Sequence, residues 1–289
     1  MKILIIGCNG QLGKDMVKIL LKAGHDVHGI DYPDIDISSS TATDTIIKNN
    51  NPDVIINCAA FTAVDECEKK HDIAYAVNRD GIANIAGSAK NIGARVIHFS
   101  TDYVFNGNKN MPYTEDDQPD PQSVYGKSKL EGDKKLAAIL PDHVILRVAW
   151  LYGIHGRHFI KKITKRAMSI QGAGQILKVV TDEIGTPTYS IDVCRQTLAL
   201  LTKDATGVFH CTNEGWCSRY EFATEIIRAY SLDVSIQPCT SAEFKLPAPR
   251  PAYSVLENKR LKDIGMNVMR DWKVAFNDYI TEEKNTGAT

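Results

Sequence analysis

The sequence predicts an α/β fold: a doubly wound parallel sheet covered by helices on both faces, with a smaller α/β unit towards the C-terminus. Three observations predict it. Short runs that are apolar on both faces alternate with helical segments through the first half, the pattern of a buried parallel sheet. A glycine-rich turn joins the first strand to the first helix. The rhythm then breaks after Trp150.

The elements follow in order. Residues 2–7 form a continuous apolar strand. Residues 11–23 carry helical spacing and stop at Gly24. Strands follow at 26–30 and 53–58. Residues 74–91 read as one long helix stopped by Gly93. A fourth strand is expected at 95–100, a helix at 126–138 and a fifth strand at 143–148. Right-handed crossovers wind such units into a single sheet. Beyond Trp150, residues 158–170 look helical and 176–180 extended, and Gly185-Thr186-Pro187 marks a turn. A helix at 191–201 and a strand at 207–211 are expected to return to the main sheet. Residues 220–230 form an amphipathic helix. Residues 244–251 hold three prolines and read as an irregular loop, and the polar tail from about Asn285 as frayed.

Composition excludes several classes. The formal net charge is −1, with 43% apolar and 24% charged residues, so a full core is available and no basic field for nucleic acid or a membrane surface. No apolar stretch approaches the roughly 18 residues of a membrane span. Met1 leads straight into a strand, without a basic stretch or cleavage site, and a cytoplasmic protein is expected. The seven cysteines are odd in number and none stand as C-x-x-C, which fits a reducing compartment rather than disulfides or zinc. Acidic neighbours of Cys67 would raise its pKa, so it is not read as reactive.

Gly7-x-x-Gly10-x-x-Gly13 follows the first strand and opens the first helix. Gly7 allows the tight turn, Gly10 lets a pyrophosphate approach the backbone, and Gly13 lets the helix pack on the strand. Asn9, Gln11 and Leu12 complete this loop, and the helix N-terminus favours the anion. The pattern is that of a Rossmann-type dinucleotide site. Asp31 ends the second strand, where an acid accepts the adenosine ribose hydroxyls and repels a 2′-phosphate. That favours NADH over NADPH, although Asp31 before Pro33 also suits a plain turn. Asp36 and Ile37 are candidates for the adenine edge. Cys58, Ala59 and Ala60 are small enough to let a cofactor lie along the strand ends. The dinucleotide-binding domain is expected to span 1–150, rejoined by about 186–212. Residues 151–185 and 213–289 would form a substrate-binding domain.

Tyr125-x-x-x-Lys129 puts a phenol and an ammonium on one helix face. The ammonium is expected to draw the tyrosine pKa down from about 10, which suits a general acid for carbonyl reduction. Ser100-Thr101-Asp102-Tyr103 closes the fourth strand. Thr101 is placed to bond a substrate carbonyl and steady Tyr125, with Ser100 beside it; alone, the cluster would read as a turn. Together these residues point to an enzyme that moves hydride between a nicotinamide and the carbonyl of a small substrate.

The chain resembles the extended short-chain dehydrogenase/reductase family over nearly its full length. Gly10-Gln11-Leu12-Gly13, Asn57 to Asp65, Ser100 to Phe105, Tyr125 to Lys129, Trp150-Leu151-Tyr152-Gly153, Gly185 to Thr188 and Arg250-Pro251 carry the resemblance. It is similar, more narrowly, to members that reduce the C4 ketone of a dTDP-linked 4-keto-6-deoxyhexose to give dTDP-L-rhamnose for a polysaccharide. That implies Tyr125 as proton donor, Lys129 as holder of the nicotinamide ribose, and Thr101 as orienting residue. It implies NADH or NADPH, a nucleotide-sugar substrate and a homodimer, in some members with Mg²⁺; no acidic cluster here stands out as a metal site. Thr62, Val64, Thr101, Asp102, Tyr103, Trp150 and Arg250 fall where the substrate would lie. Trp150 fits a core position nearly as well. Arg250 suits a diphosphate as a two-pronged donor.

Val148 and Arg157-His158 depart from the family pattern, and the latter pair lies near the expected substrate mouth. Another 4-keto sugar nucleotide thus remains an alternative. A dehydratase would carry Thr-Asp-Glu at the fourth strand end; here Tyr103 follows Asp102. An epimerase would need no external reductant. A non-catalytic dinucleotide-binding subunit would be expected to lose the Tyr/Lys pair, which this chain keeps.

Overall fold

The computed structural model describes residues 1–201 and 205–287. Its central sheet has six parallel strands. They are β1 (Lys2–Ile6), β2 (Asp26–Ile30), β3 (Val54–Asn57), β4 (Arg95–Thr101), β5 (His143–Val148) and a sixth strand, Gly207–His210. The order across the sheet is sixth, β5, β4, β3, β1, β2. β1 therefore sits between β2 and β3, with Ile6 level with both Ile30 and Asn57. The chain reverses its direction of travel across the sheet at β1. Open α/β sheets bind ligands at the carboxyl ends of the strands beside such a point.

Alternation along β1 explains the layers. Ile3 and Ile5 point into the core shared with helix α1 (Gln11–Lys22) and the helix Ser190–Leu201. Leu4 and Ile6 point the other way, under helix α2 (Ser40–Asn50) and the helices Gly81–Ile92 and Val124–Ile139. Both faces of the sheet are thus covered, as both-sided apolar strands require. The smaller unit has its own core, rich in aromatics: Tyr152, Tyr189, Phe222, Trp272, Phe276 and Tyr279.

Several elements differ from expectation. The helix expected at 74–91 begins at His71 and contains a π-helical turn, Ala76–Asp80, before Gly81–Ile92. The turn carries Asn78, whose buried amide donates to the Phe61 carbonyl and to Ser128 Oγ. A Cβ on Gly132 would lie 2.1 Å from the Asn78 carbonyl oxygen, so glycine is what admits this bulge against the Val124–Ile139 helix. The tail expected to fray from Asn285 instead ends a helix, Trp272–Thr286. Its apolar face packs into the aromatic core, and Glu283 accepts from the Tyr279 and Tyr230 hydroxyls. Residues 288–289 lie outside the described residues. Helix α2, the short helix Lys259–Asp263 and the strand Ile236–Cys239 are additions to the sequence reading. Among the described residues no helix is long and apolar enough to cross a membrane.

Candidate active site

The glycine loop is built by close contacts. Gly7 has φ +82°, and a Cβ there would lie 2.6 Å from the Ala59 nitrogen at the end of β3. A Cβ on Gly13 would lie 2.0 Å from the Gly7 oxygen, so α1 can press on the turn only without a side chain. Gly10 is different. Its φ is −69°, open to any residue, and its nearest protein atom would be 3.3 Å away. The Gly7 oxygen would crowd a Cβ there, but far less than at Gly7 or Gly13. Gly10 caps α1 with no side-chain bond, so the helix start faces outward with free N–H groups. Those donors and the open glycine fit a pyrophosphate.

Gly10, Gln11 and Leu12 line a single cleft of about 1040 Å³. Cys58, Ala60, Thr62, Val64, Ser100, Thr101, Asp102, Tyr103, Tyr125, Lys129, Trp150 and Arg250 line the same cleft. Gly7, Asn9, Gly13, Ala59 and Asp31 do not border it. Asp31 braces the loop: its carboxylate accepts from the Asn9 N–H at 2.8 Å and the Tyr32 N–H at 2.8 Å. Asp36 is occupied by a turn, accepting from the backbone and hydroxyl of Ser38. Ile37 is buried beside Gly81 and does not border the cleft.

Tyr125 and Thr101 are brought together by backbone packing. Ser123 caps the Val124–Ile139 helix, accepting from the Gly126 N–H. A Cβ on Gly126 would lie 2.2 Å from the Tyr103 oxygen, so the helix start presses on the turn after β4. Tyr125 then meets Tyr103 edge-on, with ring centres 5.6 Å apart, and its hydroxyl faces that of Thr101.

The expectation that Lys129 lowers the Tyr125 pKa is corrected here. Burial pushes the phenol above its usual value; the Thr101 bond opposes this and the Asp102 charge adds to it. Lys129 points elsewhere, with Nζ 2.6 Å from the Phe99 carbonyl oxygen and 3.0 Å from His98 Nε2. The Ala59 N–H donates to Asn57 Oδ1, so the Asn57 amide donates to His98 Nδ1. The His98 proton is thereby assigned to Nε2, and its contact with Lys129 is a hydrogen bond when the Lys129 amine is neutral and accepts it. Burial lowers the Lys129 pKa to about 8, with Asp133 opposing. Burial also keeps His98 well below its usual value.

At the far end, Trp150 adopts φ +44°, uncommon for a bulky residue, and its indole lies across Gly185. The Arg219 guanidinium stacks 3.4 Å from the Trp150 ring centre and 4.9 Å from that of Phe159. Its ion-pair partner, Glu183, is 3.5 Å away. Arg250 is held by Asp65 through two bonds of 2.7 Å, which keep the Asp65 carboxyl below its usual pKa. Sequence reading missed Glu183, Arg219, Phe159 and Lys162, which also border the cleft. Ser218-x-x-Glu221 marks the helix start next to Arg219 as a capping box, but a cap says nothing about what the next side chain faces. Among the described residues no group of three or more His, Cys, Asp or Glu is placed to hold a metal ion. Burial lifts the Cys67 thiol to about 11, with Glu68 adding to it.

A cleft with a bare helix end at one side and a Thr/Tyr/Lys set at the other suits a dinucleotide laid beside a carbonyl substrate. Known proteins agree. The chain is 38% identical to the spore coat polysaccharide biosynthesis protein SpsK of Bacillus subtilis (strain 168), with 98% of each covered. The solved dTDP-4-dehydrorhamnose reductase of Clostridium acetobutylicum ATCC 824 superposes with a TM-score of 0.95 at 43% identity, covering 98% of this chain and all of that one. The dTDP-4-dehydrorhamnose reductase of Bacillus anthracis str. Ames, solved in complex with NADP, gives 0.93 at 33% identity, with 98% and 100% covered. The family described as RmlD substrate binding domain matches residues 1–285, and the chain belongs to that family.

Proposed function

We propose that this protein uses a reduced nicotinamide dinucleotide to convert the C4 ketone of dTDP-4-dehydro-L-rhamnose to the alcohol of dTDP-L-rhamnose. The observation that carries the reading is the meeting of Thr101, Tyr125 and Lys129 with the uncapped start of α1 in one cleft. The named relatives support the substrate class, and the Bacillus subtilis relative supports a product destined for polysaccharide.

Gly7, Gly10 and Gly13 shape the pyrophosphate cradle, Asp31 stands by the adenosine ribose, and Lys129 is the ligand for the nicotinamide ribose. When bound, the cofactor supplies hydride to the carbonyl carbon. Tyr125 gives its proton to the carbonyl oxygen; its high pKa keeps the phenol protonated and ready. Thr101 holds the Tyr125 oxygen and the substrate oxygen in register. Trp150 offers an aromatic wall to the sugar, and Arg250, presented by Asp65, offers two donors to the diphosphate. Seven unpaired cysteines support a reducing, cytoplasmic setting, and the reading includes a homodimer.

Oxidation of NADH and NADPH, followed by absorbance with dTDP-4-dehydro-L-rhamnose, tests this. The expected result is turnover yielding dTDP-L-rhamnose. Folded, cofactor-bound protein that leaves this sugar untouched but reduces another 4-keto sugar nucleotide would overturn the substrate assignment. Arg157 and Arg219, both on the cleft wall, would then be the residues to examine.

A further inference from the structure

Asp102 borders the cleft, yet no step above uses it. Its side chain is 2% exposed, and a buried carboxyl is stabilised only by what it bonds. Oδ1 lies 2.9 Å from the Thr101 hydroxyl. Oδ2, and the Ser254 hydroxyl that faces it, have no hydrogen-bond partner among the described residues. Across the cleft wall the Thr101 hydroxyl faces that of Tyr125. Three oxygens thus form a chain from Asp102 through Thr101 to Tyr125.

Thr101 has one proton to donate. When Asp102 is ionised, that proton is directed to the carboxylate. When Asp102 is protonated, the whole chain points the other way, towards the substrate.

We propose that Asp102 is the proton reservoir of the reaction, feeding Tyr125 through the Thr101 hydroxyl. This rests on the reductase reading. The balance is simple. Hydride adds to the carbonyl carbon, and the carbonyl oxygen takes the Tyr125 proton. As that O–H bond breaks, the Thr101 proton moves to the phenol oxygen and the Asp102 proton moves to Thr101. Asp102 is left as a carboxylate and regains a proton from water in the cleft. One hydride and one solvent proton enter the product; the nicotinamide is oxidised and the ketone reduced.

Burial raises the Asp102 pKa to about 6, against the opposing pull of the Ser254 and Thr101 hydroxyls and the Arg219 charge. The titratable groups facing it are Tyr103, Tyr125 and Arg219. An ionised Asp102 makes Tyr125 a weaker acid, because a phenolate would then form beside a carboxylate. The chemical step is therefore fast with Asp102 protonated and slows as pH rises through its pKa.

Asp102→Asn keeps the shape and the hydrogen bond but cannot release a proton. Single-turnover rates should fall with rising pH in the wild type around an apparent pKa near 6. In Asp102→Asn they should be flat and about 10- to 100-fold below the wild-type low-pH plateau, with KM little changed. A cofactor titration by fluorescence shows whether the variant is folded. Infrared difference spectra of the cofactor-free protein give an independent readout: a protonated-carboxyl band that titrates near pH 6 and is absent in Asp102→Asn. A variant matching the wild type in rate and pH profile, or a wild-type spectrum without that band, would overturn the reservoir. A wild type inactive on the keto sugar would instead overturn the reductase reading.

Discussion

Tyr125 and Lys129 sit one helical turn apart, but spacing fixes only the direction in which side chains leave a helix, not where long ones end. The Lys129 stem runs into the protein to the Phe99 carbonyl and His98, partners 30 and 31 residues away in sequence. The pair was legible in the sequence; that the Lys129 Nζ lies against His98 and Phe99 was not, because His98 reads as one more residue of an apolar strand. Asp31 shows the same limit. Its place at the end of β2 was legible, whereas its bond to the Asn9 N–H belongs to the folded loop. That bond makes Asp31 a brace of the loop, beside the ribose contact proposed for it. Asp31→Ala should therefore weaken both cofactors, and NADH more than NADPH, because a charge that repels a 2′-phosphate is also lost. The ratio of kcat/KM for NADH over NADPH should drop about tenfold, roughly 1.4 kcal/mol; an unchanged ratio would remove Asp31 from cofactor selection.

At the scale of elements, the strand–turn–helix of the glycine loop was readable because each glycine has a distinct steric duty. Gly13 is demanded by the protein itself and Gly10 by what binds. Gly13→Ala should cost about 1–3 kcal/mol of stability, since a Cβ 2.0 Å from the Gly7 oxygen must push α1 outward. Gly10→Ala should lower the melting temperature far less than Gly13→Ala and weaken cofactor binding at least about tenfold. Calorimetric melts and cofactor titrations of the two variants check this; equal losses of stability would contradict the division of roles. Other elements were unreadable for equally physical reasons. Helix α2 buries only Thr43 and Ile47, too little apolar surface to mark a face. The π-helical turn at Ala76–Asp80 has no residue signature of its own. It exists because Asn78 has buried partners at Phe61 and Ser128 and because Gly132 makes room. Bulges of this kind often sit near functional residues; here one fixes the helix that carries Tyr125.

Over the whole molecule, the sheet delivers the cofactor end of the cleft and the smaller unit closes the other. β1, β3 and β4 each end at the cleft, so the glycine loop, Cys58 and Thr101 converge by topology alone, and that convergence was implicit in the order of the motifs. The far wall was not. Glu183, Arg219 and Arg250 come from separate segments around the helix Arg219–Ala229 and the proline loop, and nothing in their local sequence says they face Trp150, Phe159 and Asp65. The cradle and proton donor of the proposed function make one demand of the reaction: hydride must pass directly from the cofactor to the sugar carbon. The most direct measurement uses a cofactor deuterated at the transferring position of its nicotinamide, with mass and NMR analysis of the sugar product. The account predicts one deuterium per product molecule, carried on C4. Product formed without that label, or labelled at another carbon, would contradict it.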